Sequence, residues 1–530
     1  MGELAELVWF KRDLRIEDHA PLKEASLRGP VICLYIYEPE CIETDEYGAH
    51  HHRFINEALA ELIHAIRSRG GCFLLRRGEA VETFEALHRE CRFRSLWSHA
   101  ETGNQVTYAR DTRVAAWCRD RGIIWREYRQ DGVVRRLRTR DGWSKRWNKT
   151  MHRDLVKPPE HLSSANIDSA GEILSAQKVG LEPTSVTKVQ RGGAFFGAAA
   201  LDSFLSHRGV EYRSAMSSPL RGEEGCSRLS PYLAWGCLSL KTIVRATERR
   251  VGQLKVQKKE TKSLPTTWMP SLRSFQSRLR WHCHFMQKLE DEPELEFRNL
   301  CRSFDGMREE AFDETLFQAW CEGRTGYPMV DACIRSLKET GWLNFRMRAM
   351  LVSFACYHLW LHWRRPAVFL GHYFLDFEPG IHFSQVQMQA GTTGINTIRI
   401  YSPTKQAQDQ DPEGVFLRRW LPELADVPLS HLFEPYRMSR PEQLASGCVI
   451  GSDYPAPIVD HSTAYRDARM KLSKFRRRTD TQEAAKEVLT KHGSRKGQRS
   501  QRNKKRPSRG PTSPSRINPP ELTASQLRLL

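Results

Sequence analysis

The sequence lacks the features that mark secreted and membrane-spanning proteins. Its 13 cysteines are scattered, without a C-x-x-C pair or the dense spacing of a disulfide framework. No apolar run reaches the length of about 18 residues that a membrane-spanning helix needs. The first residues, MGELAELVWFKRDLR, include acidic side chains and no long apolar stretch, unlike a secretory signal. We therefore expect reduced thiols, no membrane span and a cytoplasmic location.

The composition favours several folded domains and a polyanionic partner. The chain has 530 residues, of which 40% are hydrophobic and 10% aromatic, enough for two to four domains with substantial cores. It carries 82 Lys and Arg against 63 Asp and Glu, a formal net charge of +19. Such an excess favours nucleic acid over acidic proteins or small cations.

Much of this charge lies at the C-terminal end. Residues 481–530 contain 12 Lys/Arg and 3 Asp/Glu, hence +9, and are rich in Ser, Gly and Pro. Segments of this composition cannot bury enough apolar surface to fold. The sequence therefore predicts an extension over 441–530 that ends in a disordered basic tail, with disorder beginning after Met470.

The N-terminal part alternates strand and helix patterns. Apolar runs at 7–10, 31–37, 72–78, 95–99 and 123–129 are typical of buried strands, and 51–70 has helical periodicity. This alternation predicts a Rossmann-like, doubly wound parallel sheet within residues 1–135. Sheets of this kind bind ligands beyond the carboxyl ends of their strands. The loop KRDLRIEDH (11–19) is thus either a ligand loop or a solvated charged loop.

The rest of the folded chain has helical patterns. Residues 136–200 form a connector of weak periodicity in which RDGWSKRWNKTM (140–151) carries two tryptophans that should dock. Amphipathic segments separated by short polar breaks follow in 201–440, without a convincing strand. The predicted fold class is therefore α/β followed by all-α.

The stretch GWLNFRMRAMLVSF (341–354) places an arginine in an apolar helix. Its side chains are apolar nearly all round, which is typical of a helix in the core of a large domain. Arg348 in such a helix needs a carboxylate, a phosphate or a polar ligand. Asp376 and Glu378 lie in the Gly/Pro-punctuated segment 375–403, which we expect to be irregular, and Asp376 is the candidate partner.

In the same segment, Gln385, Gln387 and Gln389 alternate with apolar residues. This alternation predicts amides along one wall of a pocket, which suits a ligand with donors and acceptors such as a flavin or a base. A buried ion pair beside a polar loop without any ligand is the open alternative. The triplet His282-Cys283-His284 does not form a metal site, because neighbouring helical side chains diverge by about 100°.

Three motifs resemble the DNA photolyase and cryptochrome family. They are CSRLSPYLAWGCLS (226–239), the long run QAWCEGRTGYPMVDACIRSLKETGWLNFRMRAMLVSF (318–354) and FLRRWLPEL (416–424), together with VWFKRDLR near the N-terminus. The resemblance is collinear from about residue 6 to 435. It implies an N-terminal antenna domain followed by a helical domain that binds FAD without a covalent bond.

The resemblance also implies roles for particular residues. Arg348 and Asp376 correspond to the family's ion pair beside the flavin ring, with Phe377 and Glu378 in the same loop. Backbone amides and hydroxyls that suit the FAD phosphates are implied for Tyr212, Cys226, Ser227, Arg228, Leu229 and Ser230. DNA contacts are implied for Arg278, Trp281, Phe345, Arg346, Met388 and Gln406.

The lesion-binding positions depart from the family pattern. Trp281 matches a tryptophan that stacks on an extruded pyrimidine dimer, although an ordinary core tryptophan is the alternative. Arg278 replaces a carboxylate, and Met388 replaces a second wall tryptophan. His382 or Gly380 aligns with an asparagine near the flavin.

The electron-relay positions depart as well. Trp363 matches the middle tryptophan of the family's relay, but Glu310 and Val386 or Ser384 stand at the outer and inner positions. Other tryptophans are available as substitutes: Trp320, Trp342 and Trp360.

Three functions remain open at this point. The leading hypothesis is light-driven repair of cyclobutane pyrimidine dimers in DNA by reduced FAD, with Trp281, His382 and Trp363 as the catalytic candidates. The alternatives are a cryptochrome-type photoreceptor and a lyase for the (6-4) photoproduct, for which His382 is the candidate proton donor. We expect a monomer that carries a second antenna chromophore of folate or deazaflavin type.

Overall fold

Five parallel strands form the N-terminal sheet of the computed structural model, which describes residues 4–165, 167, 170–261 and 265–494. The strands are β1 (Ala5–Phe10), β2 (Val31–Tyr37), β3 (Cys72–Arg77), β4 (Phe93–His99) and β5 (Ile124–Tyr128). All five agree with the predicted runs. Their order is β3-β2-β1-β4-β5, so the winding reverses between β1 and β4. Ligands of doubly wound sheets bind beside such a reversal, where the loop 11–19 begins.

Helices connect these strands. They are α1 (Ala20–Ser26), α2 (Pro39–Ile42), α3 (Ala49–Arg67), α4 (Ala80–Glu90) and α5 (Gln105–Asp120). Alternate side chains of β1 belong to two different hydrophobic cores on opposite faces of the sheet. Leu7 and Trp9 pack beneath α4 and α5, whereas Val8 and Phe10 join a core that extends into the helical part of the chain. The sheet is therefore packed on the helical region through one face.

Beyond β5, the regular secondary structure of the described residues is helical apart from isolated bridges. The first helices of this part are α6 (Trp143–Met151), α7 (Ala194–Ser206), α8 (Tyr212–Ala215), α9 (Pro219–Gly225), α10 (Ser230–Ala234), α11 (Leu240–Thr261), α12 (Trp268–Asp291), α13 (Glu314–Glu322) and α14 (Pro328–Thr340). They are followed by α15 (Phe345–Ser353), α16 (Arg364–Tyr373), α17 (Pro379–Ala390), α18 (Pro403–Gln410), α19 (Val415–Trp420), α20 (Leu429–Leu432), α21 (Arg440–Ala445), α22 (His461–Arg477) and α23 (Thr479–His492). The predicted fold class, a Rossmann-like sheet followed by an all-helical region, is confirmed.

The docking of the connector and the state of the thiols also agree with expectation. Trp143 and Trp147 of α6 are 5% and 3% exposed. All 13 cysteines are free.

Among the described residues, no helix combines the length and hydropathy that a membrane crossing requires.

The helix around Arg348 begins later than the sequence pattern suggests. Gly341, with φ +66°, ends α14, and Asn344 precedes the first residue of α15. A π-helical turn, Phe354–His358, follows directly; such turns often occur at functional sites. The predicted burial is confirmed, since the apolar side chains of α15 from Met347 to Val352 belong to the main helical core.

The segment 375–403 is more regular than predicted. Residues 379–390 form α17, with Pro379 at its first position, and Gly391 ends it with φ +78°. The expectation of an irregular loop was wrong here because Pro and Gly mark the two ends of this helix rather than breaks within a loop.

The expected disorder after Met470 is wrong as far as His492. Helices α22 and α23 cover most of this stretch, and Ala468, Leu472 and Val488 are buried in the helical core. The few apolar residues recur at helical spacing among many cations. The overall composition of the stretch is therefore that of a disordered segment, although its pattern is that of an amphipathic helix. The rest of the predicted tail, from residue 495 onward, lies outside the described residues.

Candidate functional site

Arg348 and Asp376 form the predicted ion pair. The guanidinium donates two parallel hydrogen bonds to the carboxylate, of 3.0 and 2.9 Å, and a third of 2.8 Å to the Leu343 carbonyl. Its centre lies 3.8 Å from the ring centroid of Phe374. Paired N–H donors fix both the distance and the plane of the partner. The pair therefore joins α15 rigidly to the loop before α17.

Asp376 is held in its ionised form. Burial alone would raise the pKa of this carboxyl, but the charge and hydrogen bonds of Arg348, with a further bond from Ser230, hold the pKa below its usual value. Ser230 begins α10 in the CSRLS run. The ion pair and the predicted phosphate-binding run consequently lie at one site.

Basic side chains surround that run. Burial raises the pKa of the Cys226 thiol to about 12, against the opposing charges of Arg228, Arg208, Arg348 and Arg278. Burial also lowers the pKa of Arg228 to about 10, although Asp376 opposes this shift. The site is thus largely buried and electropositive, and it contains a thiol and a carboxylate.

The backbone of the CSRLS run is fixed by two residues that the sequence did not indicate. The Arg208 guanidinium donates to the carbonyls of Glu224, Cys226 and Ser227, at 2.7 to 3.4 Å. The Gln190 side chain donates to the Arg228 carbonyl at 2.8 Å, where the backbone has a left-handed φ of 59°. These contacts hold a strained turn in place, and the residues that make them lie too far away in the sequence for any local pattern to reveal them.

The N-terminal loop contributes Arg12 to the same site. Its guanidinium donates to the carbonyl of Phe377 and, at 2.8 Å, to that of Ala234. It also approaches the Glu378 carboxylate at 3.8 Å. Burial raises the pKa of Glu378 to about 7 despite Arg12. The loop 11–19 is therefore packed against the site rather than free in solvent.

The structure brings some predicted DNA-contacting residues together. The Arg278 guanidinium lies 5.6 Å from the ring centroid of Phe345, and Arg346 follows Phe345 on α15, half-buried. Trp281 is also half-buried, but it stacks on Phe285 at 5.4 Å. Arg278 and Phe345 therefore border one opening, and Trp281 lies one turn further along α12.

The remaining candidates lie on three other elements. Met388 is half-buried on α17 and Gln406 is buried on α18. The ring of His382 is buried, with Nε2 at 2.8 Å from the Ala367 carbonyl, and burial lowers its pKa to about 4. Trp363 is fully buried and donates from Nε1 to Asn299 Oδ1 at 2.8 Å.

The predicted row of glutamines along one pocket wall is wrong. Because residues 379–390 are helical, neighbouring glutamines two positions apart point to opposite sides. Gln387 is fully buried and binds the backbone: its amide donates to the carbonyls of Leu295 and Arg298, both at 2.8 Å, and accepts from Leu300 N at 2.6 Å. Its role is to anchor the segment after α12.

Comparison with known proteins identifies the family. The sequence model described as DNA photolyase matches residues 6–146, and that of the FAD binding domain of DNA photolyase matches residues 275–474. The deoxyribodipyrimidine photo-lyase of Thermus thermophilus is 31% identical over 433 residues, which cover 80% of this chain and 93% of that protein. The chain belongs to the DNA photolyase and cryptochrome family.

Other members carry different names. Cryptochrome DASH of Natronomonas pharaonis is 27% identical over 487 residues, covering 87% of this chain and 99% of that protein. The crystal structure of a class III photolyase from Agrobacterium tumefaciens has the same fold, with a TM-score of 0.77 at 24% identity over 90% of this chain and 99% of that chain. Photolyases and cryptochromes are thus both similar to this member of the family.

The pocket built by Arg348, Asp376 and the CSRLS run fits the FAD of this family. Three of its guanidinium groups, on Arg228, Arg278 and Arg348, lie near the Cys226 thiol, and such a charge excess suits a pyrophosphate. The side-chain oxygen of Asn344, at the start of α15, is buried without a hydrogen-bond partner among the described residues. A polar ligand with donor groups satisfies such an atom.

Two groups of side chains in this protein are of the types that bind metals. The triplet His282, Cys283 and His284 diverges as predicted: Cys283 accepts from Gly132 N at 3.3 Å, whereas the His284 ring meets Trp143. A cluster of Asp13, His19 and His99 has metal-ligand chemistry, which the sequence analysis missed. Its hydrogen bonds oppose metal binding, because His19 Nδ1 accepts from Leu22 N and Nε2 must then carry the proton that Asp13 accepts.

A second cavity lies beyond the carboxyl ends of the strands. It has a volume of about 100 Å³ and adjoins both the sheet and the helical region. Aromatic rings in its wall belong to Tyr35, Tyr47 and Trp235, and charged groups to Glu38 and Arg110. The position is the one at which doubly wound sheets bind ligands.

Proposed function

We propose that this protein is a light-driven photolyase that splits cyclobutane pyrimidine dimers in DNA. The observation that carries the proposal is the rigid Arg348–Asp376 pair within a largely buried, electropositive site. An ionised carboxylate paired with a guanidinium presents fixed charges of both signs to a ligand at little cost in reorganisation.

Bound FAD would supply light absorption and the electron that opens the dimer ring. The chain's own residues would hold it in place. Arg348 and Asp376 would orient the edge of the flavin ring, and Phe377 and Glu378 would close the same side. The phosphates would be bound by Tyr212 and by the run Cys226, Ser227, Arg228, Leu229 and Ser230, whose backbone Arg208 fixes.

The opening next to Arg278 and Phe345 would receive the damaged strand. Arg278 and Arg346 offer positive charge to DNA phosphates, which supplies affinity without regard to sequence. Trp281 and Met388 would contact the extruded bases, and Gln406 the flanking strand. Apolar walls would exclude water from the site of electron transfer. Trp363 would take part in reduction of the flavin.

A photoreceptor without repair activity is the second candidate. It is favoured by the replacement of expected lesion-wall and relay residues at positions 278, 388 and 310, and cryptochrome DASH is among the similar proteins. Repair of the (6-4) photoproduct is less favoured. The proposed proton donor, His382, uses Nε2 to bind the Ala367 carbonyl, and its low pKa leaves the ring neutral.

We further propose that the cavity beyond the strands holds the second, antenna chromophore. The proposal rests on its aromatic wall, on which a flat ring of folate or deazaflavin type would stack. The domain limits that we propose are 1–135 for the antenna domain, 136–200 for the connector and 201–440 for the FAD-binding domain, with 441–530 as an extension. We propose a cytoplasmic monomer.

One experiment separates the three activities. The purified protein, with its flavin reduced, is illuminated with oligonucleotides that contain either a cyclobutane dimer or a (6-4) photoproduct, and each lesion is quantified. Loss of the cyclobutane dimer only in the light supports our proposal. Repair of the (6-4) product alone assigns the alternative lyase, and repair of neither lesion, in a protein with normal flavin photoreduction, assigns the photoreceptor.

A further inference from the structure

Lys288 is a buried lysine that the proposed function does not use. It lies near the end of α12, is 3% exposed, and its ammonium is 5.1 Å from the ring centroid of Phe285. Among the described residues it forms no salt bridge or hydrogen bond. Burial, assisted by the nearby charge of Arg140, lowers its pKa to about 7. A lysine in such a place is costly unless an anion accompanies it.

The neighbours of Lys288 are basic groups from three segments. Arg140, which precedes α6, is 4% exposed, and His492, the last residue of α23, is 2% exposed. Burial, assisted by the charges of Lys288 and Arg140, lowers the pKa of His492 to about 3. Burial and the charges of Lys288 and Arg140 also lower the pKa of His284, which lies one turn earlier on α12. Nδ1 of His492 is buried without a partner among the described residues.

The carboxylate that faces Arg140 is already engaged. Asp291 lies 3.2 Å from Arg140 Nε and accepts a hydrogen bond of 2.8 Å from Gln287. It therefore balances the guanidinium of Arg140 and leaves Lys288 without an anionic partner. Two cations and two imidazoles are thus close enough to influence one another's pKa values, and of the two cations only Arg140 has a salt bridge among the described residues.

A cavity of about 440 Å³ adjoins the cluster. Arg140 and Asp291 belong to both, and the hydroxyl-bearing residues Thr139 and Thr490 also line the cavity. Its remaining charged wall consists of Arg138, Lys486, Lys491 and Glu487. The volume lies within the range of about 300 to 1,000 Å³ that small-molecule sites have, so an anion that carries an organic group fits.

We propose that this cavity, between α12, residues 137–140 and α23, binds the phosphate of a phosphorylated ligand. The Arg140 fork and the Lys288 ammonium would neutralise it, and the threonine hydroxyls and His492 Nδ1 would complete its hydrogen bonds. The site is separate from the FAD pocket and does not depend on the lesion that is repaired. The phosphate belongs either to a free nucleotide or to the end of a DNA strand.

Thermal unfolding of the FAD-loaded protein tests the proposal. Inorganic phosphate and sulfate should raise Tm by about 2 to 4 °C over chloride at equal ionic strength. Lys288→Met should raise Tm without these anions, since it removes a buried charge, and should abolish the increment that they give. The matched control Lys474→Met, at an exposed lysine on α22, should change neither value.

A second variant covers the case in which Lys288→Met does not fold. Arg138→Gln with Lys486→Gln changes two exposed residues at the cavity rim and should weaken phosphate affinity roughly tenfold by titration calorimetry. The absence of an increment in the native protein overturns the proposal, as do equal increments in native protein and variants.

The source of the phosphate is assigned by two matched pairs of ligands. Thymidine is compared with thymidine 5′-monophosphate, and an oligonucleotide is compared with its 5′-phosphorylated form. Preference for the phosphorylated member of either pair, lost in Lys288→Met, supports the site and names its source. Equal binding of both members in both pairs contradicts it.

Discussion

Arg348 and Lys288 are both cations in largely apolar surroundings, yet the chain treats them differently. Arg348 has two hydrogen bonds to one carboxylate, whose pKa it holds down. Lys288 has no salt bridge among the described residues, and burial together with the charge of Arg140 lowers its pKa to about 7. A matched pair is complete before any ligand arrives, whereas an unmatched cation is a site whose counter-ion comes from outside.

Arg208 and Arg12 show a third arrangement. Their guanidinium groups donate to backbone carbonyls of the CSRLS run and of the loop before α17. Carbonyl groups satisfy the donors of a cation without neutralising its charge. The proposed flavin site consequently combines a neutralised pair with cations whose charge is not neutralised, which suits a ligand with both a polar ring and a pyrophosphate.

Breaking the matched pair should have the largest effect. Arg348→Ala removes the guanidinium and leaves Asp376 buried and unpaired, at a cost of about 3 to 5 kcal/mol. We expect loss of FAD during gel filtration and a lower midpoint in denaturant unfolding. Arg346→Ala, two residues earlier on the same helix, is the control and should retain FAD. Normal flavin content and stability in Arg348→Ala would remove the pair from the proposed pocket.

Glu378 is intermediate between the paired Arg348 and the unpaired Lys288. The Arg12 guanidinium approaches its carboxylate to 3.8 Å without a close bond. Its folded-state pKa, about 7, lies above the ordinary value of 4.5. The stability from its protonated form is therefore present below the unfolded pKa and is lost as pH rises through about 7. Glu378→Gln avoids this loss, so it should exceed the native protein in stability at pH 8 by up to about 3 kcal/mol and match it near pH 4.5.

Denaturant unfolding at the two pH values measures this difference. Glu413→Gln, at an exposed position, serves as the control and should show no dependence of the difference on pH. A constant difference between Glu378→Gln and the native protein across the range would mean that Arg12 already neutralises Glu378.

Trp281 lies on α12 between Arg278 and Lys288, which belong to the two sites that we propose. If it stacks on an extruded dimer, Trp281→Ala should weaken binding of dimer-containing DNA by about 1 to 3 kcal/mol and change binding of undamaged DNA much less. Fluorescence anisotropy with the two DNAs measures both constants. Equal losses would assign Trp281 to packing against Phe285 alone.

The sequence predicted the parts of this molecule that depend on local pattern. All five strands and the burial of α15 follow from short-range periodicity, and Arg348 needed a partner on simple electrostatic grounds. The family resemblance led to the residues of the CSRLS run. Each of these predictions uses a motif or a spacing that is visible within a few dozen residues.

The parts that were not predicted depend on contacts between distant segments. Arg208 and Gln190 reach the CSRLS run from other elements, and Lys288 meets His492 only because α23 folds back onto α12. The predicted row of glutamines was wrong for another reason. Because the glutamines recur at every second position, the segment was interpreted as extended, whereas Pro379 and Gly391 mark the two ends of a helix.

The smallest expected effect concerns residues beyond the last described helix. Positions 495–530 contain 10 Lys/Arg and 1 Asp/Glu, hence +9. These cations stand in a stretch rich in Ser, Gly and Pro, so we expect them to bind DNA phosphates through release of counter-ions and without preference for damage. A deletion that begins at residue 495 leaves α23 and the phosphate cavity intact.

This deletion should reduce the slope of DNA affinity against salt concentration on logarithmic axes. The flavin spectrum, the ratio of damaged to undamaged affinity, and the rise in Tm with phosphate should remain unchanged, because the residues that produce them lie before position 495. Binding titrations at several salt concentrations give the slope. A changed damage preference would mean that the segment reaches the lesion opening. Light-dependent protection of this segment from proteolysis would instead favour a signalling role, and with it the photoreceptor over the photolyase.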